Sequence, residues 1–398
     1  KSGQKQSIAV LEEVLKQKPD DSAANHYWIH AVEAGAHPEL ALRSATVLAS
    51  LAPASGHMVH MPGHIFFRVG DYAQAEHWFA ESTAVDEAYM RTQHVSVDDD
   101  WNYIHNLMYG VANLMEEGKL HDATVLSHKL AGGRGEFAPS LYIGVPRDGM
   151  ARLDPQLPVA LRLGDWSAVM KMAEESKPDA KFENLNFLAG QLKDYAGGML
   201  AIEGGDVARA QASSTQLDAA LWRMWTKLKD APKAKAQPAS GPVMAAVMPD
   251  ALPGPLLSNV SVMSLELRAS ILAAQKKLPE AKAMFARAAK EEKDLGYREP
   301  PIFIRPVGET EGAALMRAGD YADAHEAYAA ALLERPKSGF GLYGMAQSSE
   351  AAGNAAKARA EYAEFLSAWK NADTALPELA HARQFVAGEK VLASARAK

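Results

Sequence analysis

Residues 319–336 read GDYADAHEAYAAALLERP, and residues 353–365, which begin 34 residues later, read GNAAKARAEYAEF. In both stretches a Gly is followed by Ala and aromatic residues at helical spacing. Residues 70–82, GDYAQAEHWFAES, repeat the pattern in the first part of the chain. A period of this length predicts stacked helix-turn-helix units, in which small residues let helices approach and aromatic residues fill the core between units.

Weaker copies of the pattern occur elsewhere, at residues 40–53, 118–131, 164–176, 204–217 and 276–289. With these copies, the chain resembles the tetratricopeptide-repeat family over nearly its whole length. The resemblance implies an all-α fold, a right-handed α-solenoid of about eight repeats forming one domain over residues 1–398. The opening stretch SIAVLEEVLKQKP predicts a second helix without its first, and so a missing N-terminal segment.

The pattern divides the chain unevenly. Residues 1–130 are histidine-rich repeats, residues 159–228 are degenerate repeats, and residues 259–398 are the C-terminal repeats. Residues 131–158 are rich in Gly and Pro and predict an irregular loop. Residues 229–258 hold six prolines, which predicts a flexible linker or a lid over the groove.

Composition excludes several classes of protein. A net charge of −7 argues against a nucleic-acid binder. No uninterrupted apolar run reaches about 18 residues, so no transmembrane segment is predicted. The chain has no cysteine, which excludes thiolate metal ligands and cysteine nucleophiles and favours a periplasmic or exported location over a cytoplasmic one. The glycine-rich nucleotide motifs and the serine-hydrolase elbow do not occur.

Histidine is concentrated near the beginning of the chain, where eleven of the 13 histidines lie between His26 and His128. His26 and His30 are four residues apart, and so are His60 and His64, one repeat length further on. Side chains four residues apart share one face of a helix, and stacked repeats bring equivalent positions side by side. The spacing therefore predicts two neighbouring pairs of imidazoles.

The repeat phase adds three candidates to these four. In the family that the chain resembles, the first helix of each repeat lines the concave groove, and the resemblance implies that face for the paired histidines. Glu33 and His57 fall on the same face, and a third repeat beginning at Ile104 adds His105.

Six histidines and one glutamate in this arrangement predict a divalent transition-metal ion, Zn, Cu, Ni or Fe. The candidate ligands are His26, His30, Glu33, His57, His60, His64 and His105. They exceed the needs of one tetrahedral ion, which leaves two alternatives: a dinuclear site, or one ion surrounded by further histidines that act as bases and hydrogen-bond partners. Whether such a site is catalytic, by hydrolysis or oxidation, stays open.

Three more residues are candidates for contacts with a substrate in the groove. Arg68 is predicted either to bind an anion or to pair with an acid of the adjacent repeat, and Tyr27 and Tyr103 to orient ligands or bind substrate. The remaining histidines of this region are predicted to lie on second helices or loops, without a role in the site. They are His37, His77, His94, His121 and His128.

The alternative function is an interaction scaffold that holds a peptide, a protein partner or a small molecule in the groove. Most proteins of the family are of this kind. Peptide-binding members usually present Asn, Lys and Arg at the groove positions where this chain presents histidine.

A narrower resemblance links the chain to a bacterial subgroup of these repeat proteins. Its members carry segments like HYWIHAVE, GHMVHMPGHI and YIHN, which are residues 26–33, 56–65 and 103–106 here. The likeness extends to residues 299–315, EPPIFIRPVGETEGAAL, where the subgroup is richer in Trp and Tyr. The resemblance implies the fold and the histidine site, and no particular reaction.

Overall fold

The computed structural model describes residues 2–132, 146–230, 250 and 253–388, and within these residues the chain forms 19 α-helices and no strand. The first ten are α1 (Ser2–Gln17), α2 (Ser22–Glu33), α3 (Leu42–Leu51), α4 (Gly56–Arg68), α5 (Tyr72–Gln93), α6 (Trp101–Glu116), α7 (Leu120–Gly132), α8 (Pro146–Leu153), α9 (Leu157–Leu163) and α10 (Trp166–Glu175). The other nine are α11 (Glu183–Glu203), α12 (Val207–Asp230), α13 (Pro253–Ala274), α14 (Leu278–Asp294), α15 (Val307–Ala318), α16 (Tyr321–Glu334), α17 (Gly339–Ala351), α18 (Ala355–Ala368) and α19 (Pro377–Ala387). Short 3₁₀ turns at Pro38–Ala41 and Val97–Asp99 complete the helical structure of the described residues.

Successive helices pack as pairs. In the described part of the chain there are eight, α2/α3, α4/α5, α6/α7, α9/α10, α11/α12, α13/α14, α15/α16 and α17/α18, with α1 before them, α8 between the third and fourth pairs, and α19 after them. First helices of neighbouring pairs also touch, as α2 does α4 and α4 does α6. The prediction of an all-α solenoid of about eight repeats is confirmed.

Two glycine–aromatic contacts explain the sequence pattern. A Cβ on Gly63 in α4 would lie 2.3 Å from the ring of Phe79 in α5, and a Cβ on Gly312 in α15 would lie 2.6 Å from the ring of Tyr328 in α16. Only glycine lets the paired helices approach so closely over an aromatic ring. These contacts sit inside each pair and set its spacing.

The solenoid returns on itself, so that its last repeats touch its early ones. The hydroxyl of Tyr72 donates to the carbonyl of Pro336 at 2.8 Å. The indole Nε1 of Trp369 donates to the carbonyl of Glu116 at 2.8 Å. These bonds join residues that lie 264 and 253 positions apart. The C-terminal repeats therefore contact the N-terminal repeats directly.

A buried network of ion pairs stabilises the contact between the early and the later repeats. Arg162 in α9 donates to both carboxylate oxygens of Glu116 at 2.8 Å and to those of Glu309 at 2.6 and 2.9 Å. Burial alone would lower the pKa of Arg162, but the charges and hydrogen bonds of the two glutamates outweigh it and raise the pKa. The three charges come from three separate repeats, which this network fixes relative to one another.

One of the predicted segments needs correction, and another lies mostly outside the described residues. Part of the predicted irregular loop at residues 131–158 is helical, because Pro146–Leu153 forms α8, with proline at the first helical position, and α9 begins at Leu157. Residues 133–145 lie outside the described residues. The predicted linker or lid at residues 229–258 falls mostly outside them as well, between the end of α12 and the start of α13.

One stretch within α13, Gly254–Ala274, is long and apolar enough to cross a membrane by length and composition. The count of uninterrupted apolar residues missed it, because Ser, Asn, Glu and Arg interrupt the run. In the structure 78% of its most apolar window is buried, and the helix packs between α11, α12, α14 and α15. Its apolar composition is accounted for by its place in the core of the solenoid.

Candidate metal centre

The first helices of three consecutive repeats carry the candidate ligands: α2, α4 and α6. The side chain of Asp21 caps α2 by accepting from Ala24 N at 2.9 Å, and Asp100 caps α6 by accepting from Tyr103 N at 3.1 Å. The prediction that the third repeat begins at Ile104 is wrong by three residues, because this cap starts the helix at Trp101.

The seven predicted ligands come together in two sets of three histidines with one glutamate between them. The inner set is His60, His64 and His105, all buried, and the outer set is His26, His30 and His57, all partly exposed. Within each set, one ring nitrogen from every residue lies within 4.8 Å of the others. Helix stacking alone thus assembles two groups of three nitrogen donors.

In each set, the Nε2 atoms of two of the three histidines face each other. In the inner set, Nε2 of His64 lies 2.5 Å from Nε2 of His60, which is shorter than an ordinary hydrogen bond. In the outer set, Nε2 of His26 lies 3.0 Å from Nε2 of His57. These four imidazoles therefore face their partners through the same ring atom.

Two asparagines of α6 hold the opposite ring nitrogens. Oδ1 of Asn106 lies 2.7 Å from Nδ1 of His60, and Oδ1 of Asn102 lies 3.2 Å from Nδ1 of His57. The Asn106 amide is fixed in this orientation because its Nδ2 donates to Phe79 O at 2.8 Å and to Thr83 Oγ1 at 2.7 Å. An amide oxygen accepts only, so each histidine donates from Nδ1 and keeps its lone pair at Nε2.

Glu33 also accepts a hydrogen bond from Nδ1 of one histidine in each set. Its Oε1 accepts from Nδ1 of His30 at 2.7 Å and its Oε2 from Nδ1 of His64 at 2.8 Å. The side chain of Glu33 is almost fully buried. A single carboxylate thus orients two imidazoles toward two different groups of nitrogen atoms.

Burial keeps most of the cluster uncharged. The pKa is lowered to about 3 for His105 and to about 4 for His26 and His64. Burial is the largest cause, and the charges of neighbouring histidines act in the same direction. The pKa values of His57 and His60 are lowered for the same reason. These five rings are neutral near pH 7 and each offers one lone pair.

His30 is the exception. Burial disfavours its charged form, but hydrogen bonds to Glu299 and Glu33 and the charges of both outweigh that and raise the pKa to about 10. The two carboxylates therefore favour a positive charge at this point.

Glu299 and Tyr297 reach the cluster from the connection between α14 and α15, and sequence reasoning did not single them out. Glu299 lies 3.7 Å from Nδ1 of His30 and 3.5 Å from Nδ1 of His64. The hydroxyl of Tyr297 donates to Glu33 at 3.3 Å. The only signal was the position of Glu299 at the head of the segment that resembles the bacterial subgroup. Asn102 and Asn106 were also missed, although their spacing of four residues matches the paired histidines.

The other candidates have different surroundings. Arg68 donates to the carbonyls of Glu33 at 3.0 Å and Gly35 at 3.1 Å, and within the described residues it forms no ion pair with an acidic side chain of the adjacent repeat. Anion binding by Arg68 stays a prediction. Tyr27 is 59% exposed beside His26. Tyr103 is buried and donates to Glu87 at 3.1 Å, away from the histidines. The five histidines predicted to have no role in the site are exposed.

These features define the class of protein: an α-solenoid of tetratricopeptide-like helix pairs with a histidine cluster on its first helices. No family model matches the chain, and no curated protein sequence matches it. The chain is similar to the solved tetratricopeptide-repeat domain of P58(IPK), at 14% identity and a TM-score of 0.22, over 88% of this chain and 94% of that one.

A second similar structure is Naa15/Naa10 bound to HypK-THB, at 15% identity and a TM-score of 0.21. That alignment covers 96% of this chain but 63% of the other, which is less than two thirds of its length. The fold is therefore assigned from the helix pairs themselves.

Proposed function

We propose that this protein binds transition-metal ions at the histidine cluster, with one ion in the inner set and one in the outer set. The observation that carries the proposal is the pair of Nε2 atoms of His60 and His64, which face each other at 2.5 Å while Asn106 and Glu33 hold their Nδ1 atoms. Two neutral imidazoles oriented in this way direct two lone pairs at one point. A cation between them turns that repulsion into coordination.

The distances agree with this interpretation. Two nitrogen ligands of one tetrahedral ion lie about 3.3 Å apart when each metal–nitrogen bond is about 2.0–2.1 Å. The Nε2 atoms of His26 and His57 are already 3.0 Å apart. A shift of less than about 1 Å between His60 and His64 brings the inner set to the same spacing.

The hydrogen bonds at Nδ1 follow the rule for metal-binding histidines, whose second ring nitrogen donates to a carboxylate or carbonyl group. Three nitrogen ligands leave a coordination position open, the arrangement with which catalytic zinc sites hold a reacting water. The donor type suits Zn, Cu, Ni or Fe. Hydrolytic and oxidative chemistry are both compatible with this donor set.

Metal analysis of protein purified without a histidine tag tests the proposal. We expect about two equivalents of first-row metal per chain after loading with Zn(II) and gel filtration. His60→Ala with His64→Ala should remove the inner ion. A matched control, His77→Ala with His128→Ala, deletes two exposed histidines and should retain both ions. Equal metal content in the two double variants, or no tightly bound metal in the unaltered protein, would overturn the proposal.

A second candidate function is a protein-interaction scaffold, the usual role of solenoids with a concave surface. A cavity in the C-terminal repeats favours it, with a volume of 190 Å³ within the described part of the chain. Its lining includes Arg305, Tyr328, Phe340, Tyr343, Gln347 and Trp369. The lining also holds the carboxylates of Glu309 and Glu378. Aromatic walls with charges of both signs suit a large peptide side chain that has an apolar body and a polar end.

Selection from a displayed library of random peptides tests this second candidate. Binding that is unchanged by a chelator and lost in Tyr343→Ala would support a scaffold that works without metal. Tyr89→Ala, which removes an exposed tyrosine of α5, is the control. Selected peptides that bind Tyr343→Ala as tightly as the unaltered protein would exclude this cavity.

A further inference from the structure

Residues 295–306, which we call the strap, connect α14 to α15 and cross to the N-terminal repeats. Ile302, Phe303 and Ile304 are buried and fix the C-terminal part of the strap in the solenoid core. The N-terminal part carries Tyr297 and Glu299, and both reach the histidine cluster. A segment from the later repeats therefore forms one wall of a site built by the early repeats.

The contacts of the strap converge on Glu33. The hydroxyl of Tyr297 donates to Oε2 of Glu33 at 3.3 Å, across 264 residues of sequence. The same hydroxyl lies 3.3 Å from that of Tyr109, and the guanidinium of Arg68 lies 5.3 Å from the centre of the Tyr297 ring. Glu299 follows two residues later and lies beside the two ring nitrogens that Glu33 already engages.

We propose that Glu299 completes the metal centre as a carboxylate of the strap that balances its charge from the Nδ1 side of His30 and His64, so that metal occupancy and closure of the solenoid are thermodynamically linked. The proposal rests on the proposed metal-binding function. It adds a residue outside the N-terminal histidine repeats and assigns the strap a role in metal affinity.

Charge balance favours a role for Glu299 in the metal centre. Neutral imidazoles supply no negative charge, so two divalent ions in the two sets would leave a large positive charge in a buried place. Glu33 and Glu299 are the two carboxylates that join His30 in a third group of candidate ligand atoms within 4.8 Å of one another. Two acids this close repel each other unless positive charge lies beside them. Protonated His30 supplies one such charge, and metal ions at the adjoining imidazoles would supply more.

Metal binding and closure of the strap are also linked thermodynamically. A ligand that binds only the closed form stabilises that form in proportion to its binding energy. If Glu299 interacts with the metal ions, every ion bound in the cluster also holds the strap against α2 and α4. Metal removal should then loosen a segment that lies far from the histidines in sequence.

Hydrogen exchange measured by mass spectrometry tests this link, with Zn(II) as the probe and a chelator for its removal. In the unaltered protein, we expect the exchange rates of residues 295–299 to rise at least about tenfold when Zn(II) is removed. In Glu299→Gln, Zn(II) should still bind through the histidines, with affinity about 10–100-fold lower, and the strap should exchange at one rate with or without metal.

Two controls separate the role of Glu299 from general effects. Asp294→Asn removes a negative charge at the end of α14, where Asp294 pairs with Lys290, and should change neither affinity nor strap exchange. Tyr297→Phe removes the hydroxyl contact with Glu33 but keeps the carboxylate of Glu299. It should speed strap exchange in both states and preserve the difference between them.

The outcomes are distinct. Zn(II) that binds but leaves strap exchange unchanged in the unaltered protein would overturn the link while leaving the proposed function in place. A metal-dependent difference that persists at full size in Glu299→Gln would also overturn it. Absence of Zn(II) binding in the unaltered protein would instead remove the proposed function, and this inference with it.

Discussion

The amide oxygen of Asn106 accepts a hydrogen bond from Nδ1 of His60 at 2.7 Å, across 46 residues of sequence and between two stacked repeats. This bond sets the tautomer of a histidine that has no exposure to solvent. It also shows that α6, which carries the candidate ligand His105, orients the imidazoles of candidate ligands on α4.

Replacing Asn106 by alanine should lower metal affinity without changing metal stoichiometry. The ring of His60 would lose the partner that directs Nε2 inward, and loss of such a partner costs about 10–100-fold in affinity. Competition of Zn(II) with a chromophoric chelator measures the change. Asn113→Ala is the control, since Asn113 is a buried asparagine of the same helix that donates to Tyr72 O instead. Similar affinity losses in both variants would argue against a specific role for Asn106.

Replacing Arg162 by methionine should destabilise the protein strongly. The change leaves Glu116 and Glu309 buried without their main partner, and breaking a buried ion pair from one side costs about 3–5 kcal/mol. Urea unfolding followed by circular dichroism measures the free energy of unfolding. Lys193→Met breaks the exposed pair with Glu174 and should cost less than about 1 kcal/mol. A comparable loss in the two variants would contradict the closing role of Arg162.

Replacing Gly63 by alanine should destabilise the second repeat, because its Cβ would overlap the ring of Phe79 at 2.3 Å. Overpacking of this kind costs about 1–3 kcal/mol. Gly190→Ala in α11 is a matched helical control, since the added Cβ would meet no atom of the described residues within 4 Å beyond its chain neighbours and the backbone of its own helix. That substitution should instead stabilise the helix by about 0.5–1 kcal/mol. Thermal unfolding of the two variants should therefore shift in opposite directions.

Glu266 should make stability depend on pH. Burial raises the pKa of Glu266 from 4.5 to about 8, so between these values the folded protein holds a proton that the unfolded chain releases. Its contribution to the free energy of unfolding is fully present below pH 4.5 and is lost as the pH rises toward 8. Glu266→Gln should flatten this decline. Unfolding of metal-free protein at pH 5 and pH 8.5 measures it, and parallel pH profiles for the two proteins would refute the assignment.

Most of the fold and about half of the site could be predicted from sequence. The 34-residue recurrence predicted the close packing of paired helices at small residues and put the paired histidines on the first helices, because these relations depend on one repeat and its nearest neighbour. The carbonyl acceptors of Arg68 at Glu33 and Gly35 were not predicted, because backbone groups leave no trace in side-chain patterns. The helix at Pro146–Leu153 was missed because its Pro and Gly content is also that of a loop.

The sequence by itself determined the repeat, the order of the helices and the shared face of the histidines on α2 and α4. Tertiary structure alone decided that Tyr297 and Glu299 reach Glu33 and that Arg162 joins Glu116 to Glu309. The physical reason is that each repeat adds a small rotation to the one before it. A local pattern specifies each step, whereas the meeting of distant repeats depends on the sum of all steps and on the irregular connections between them.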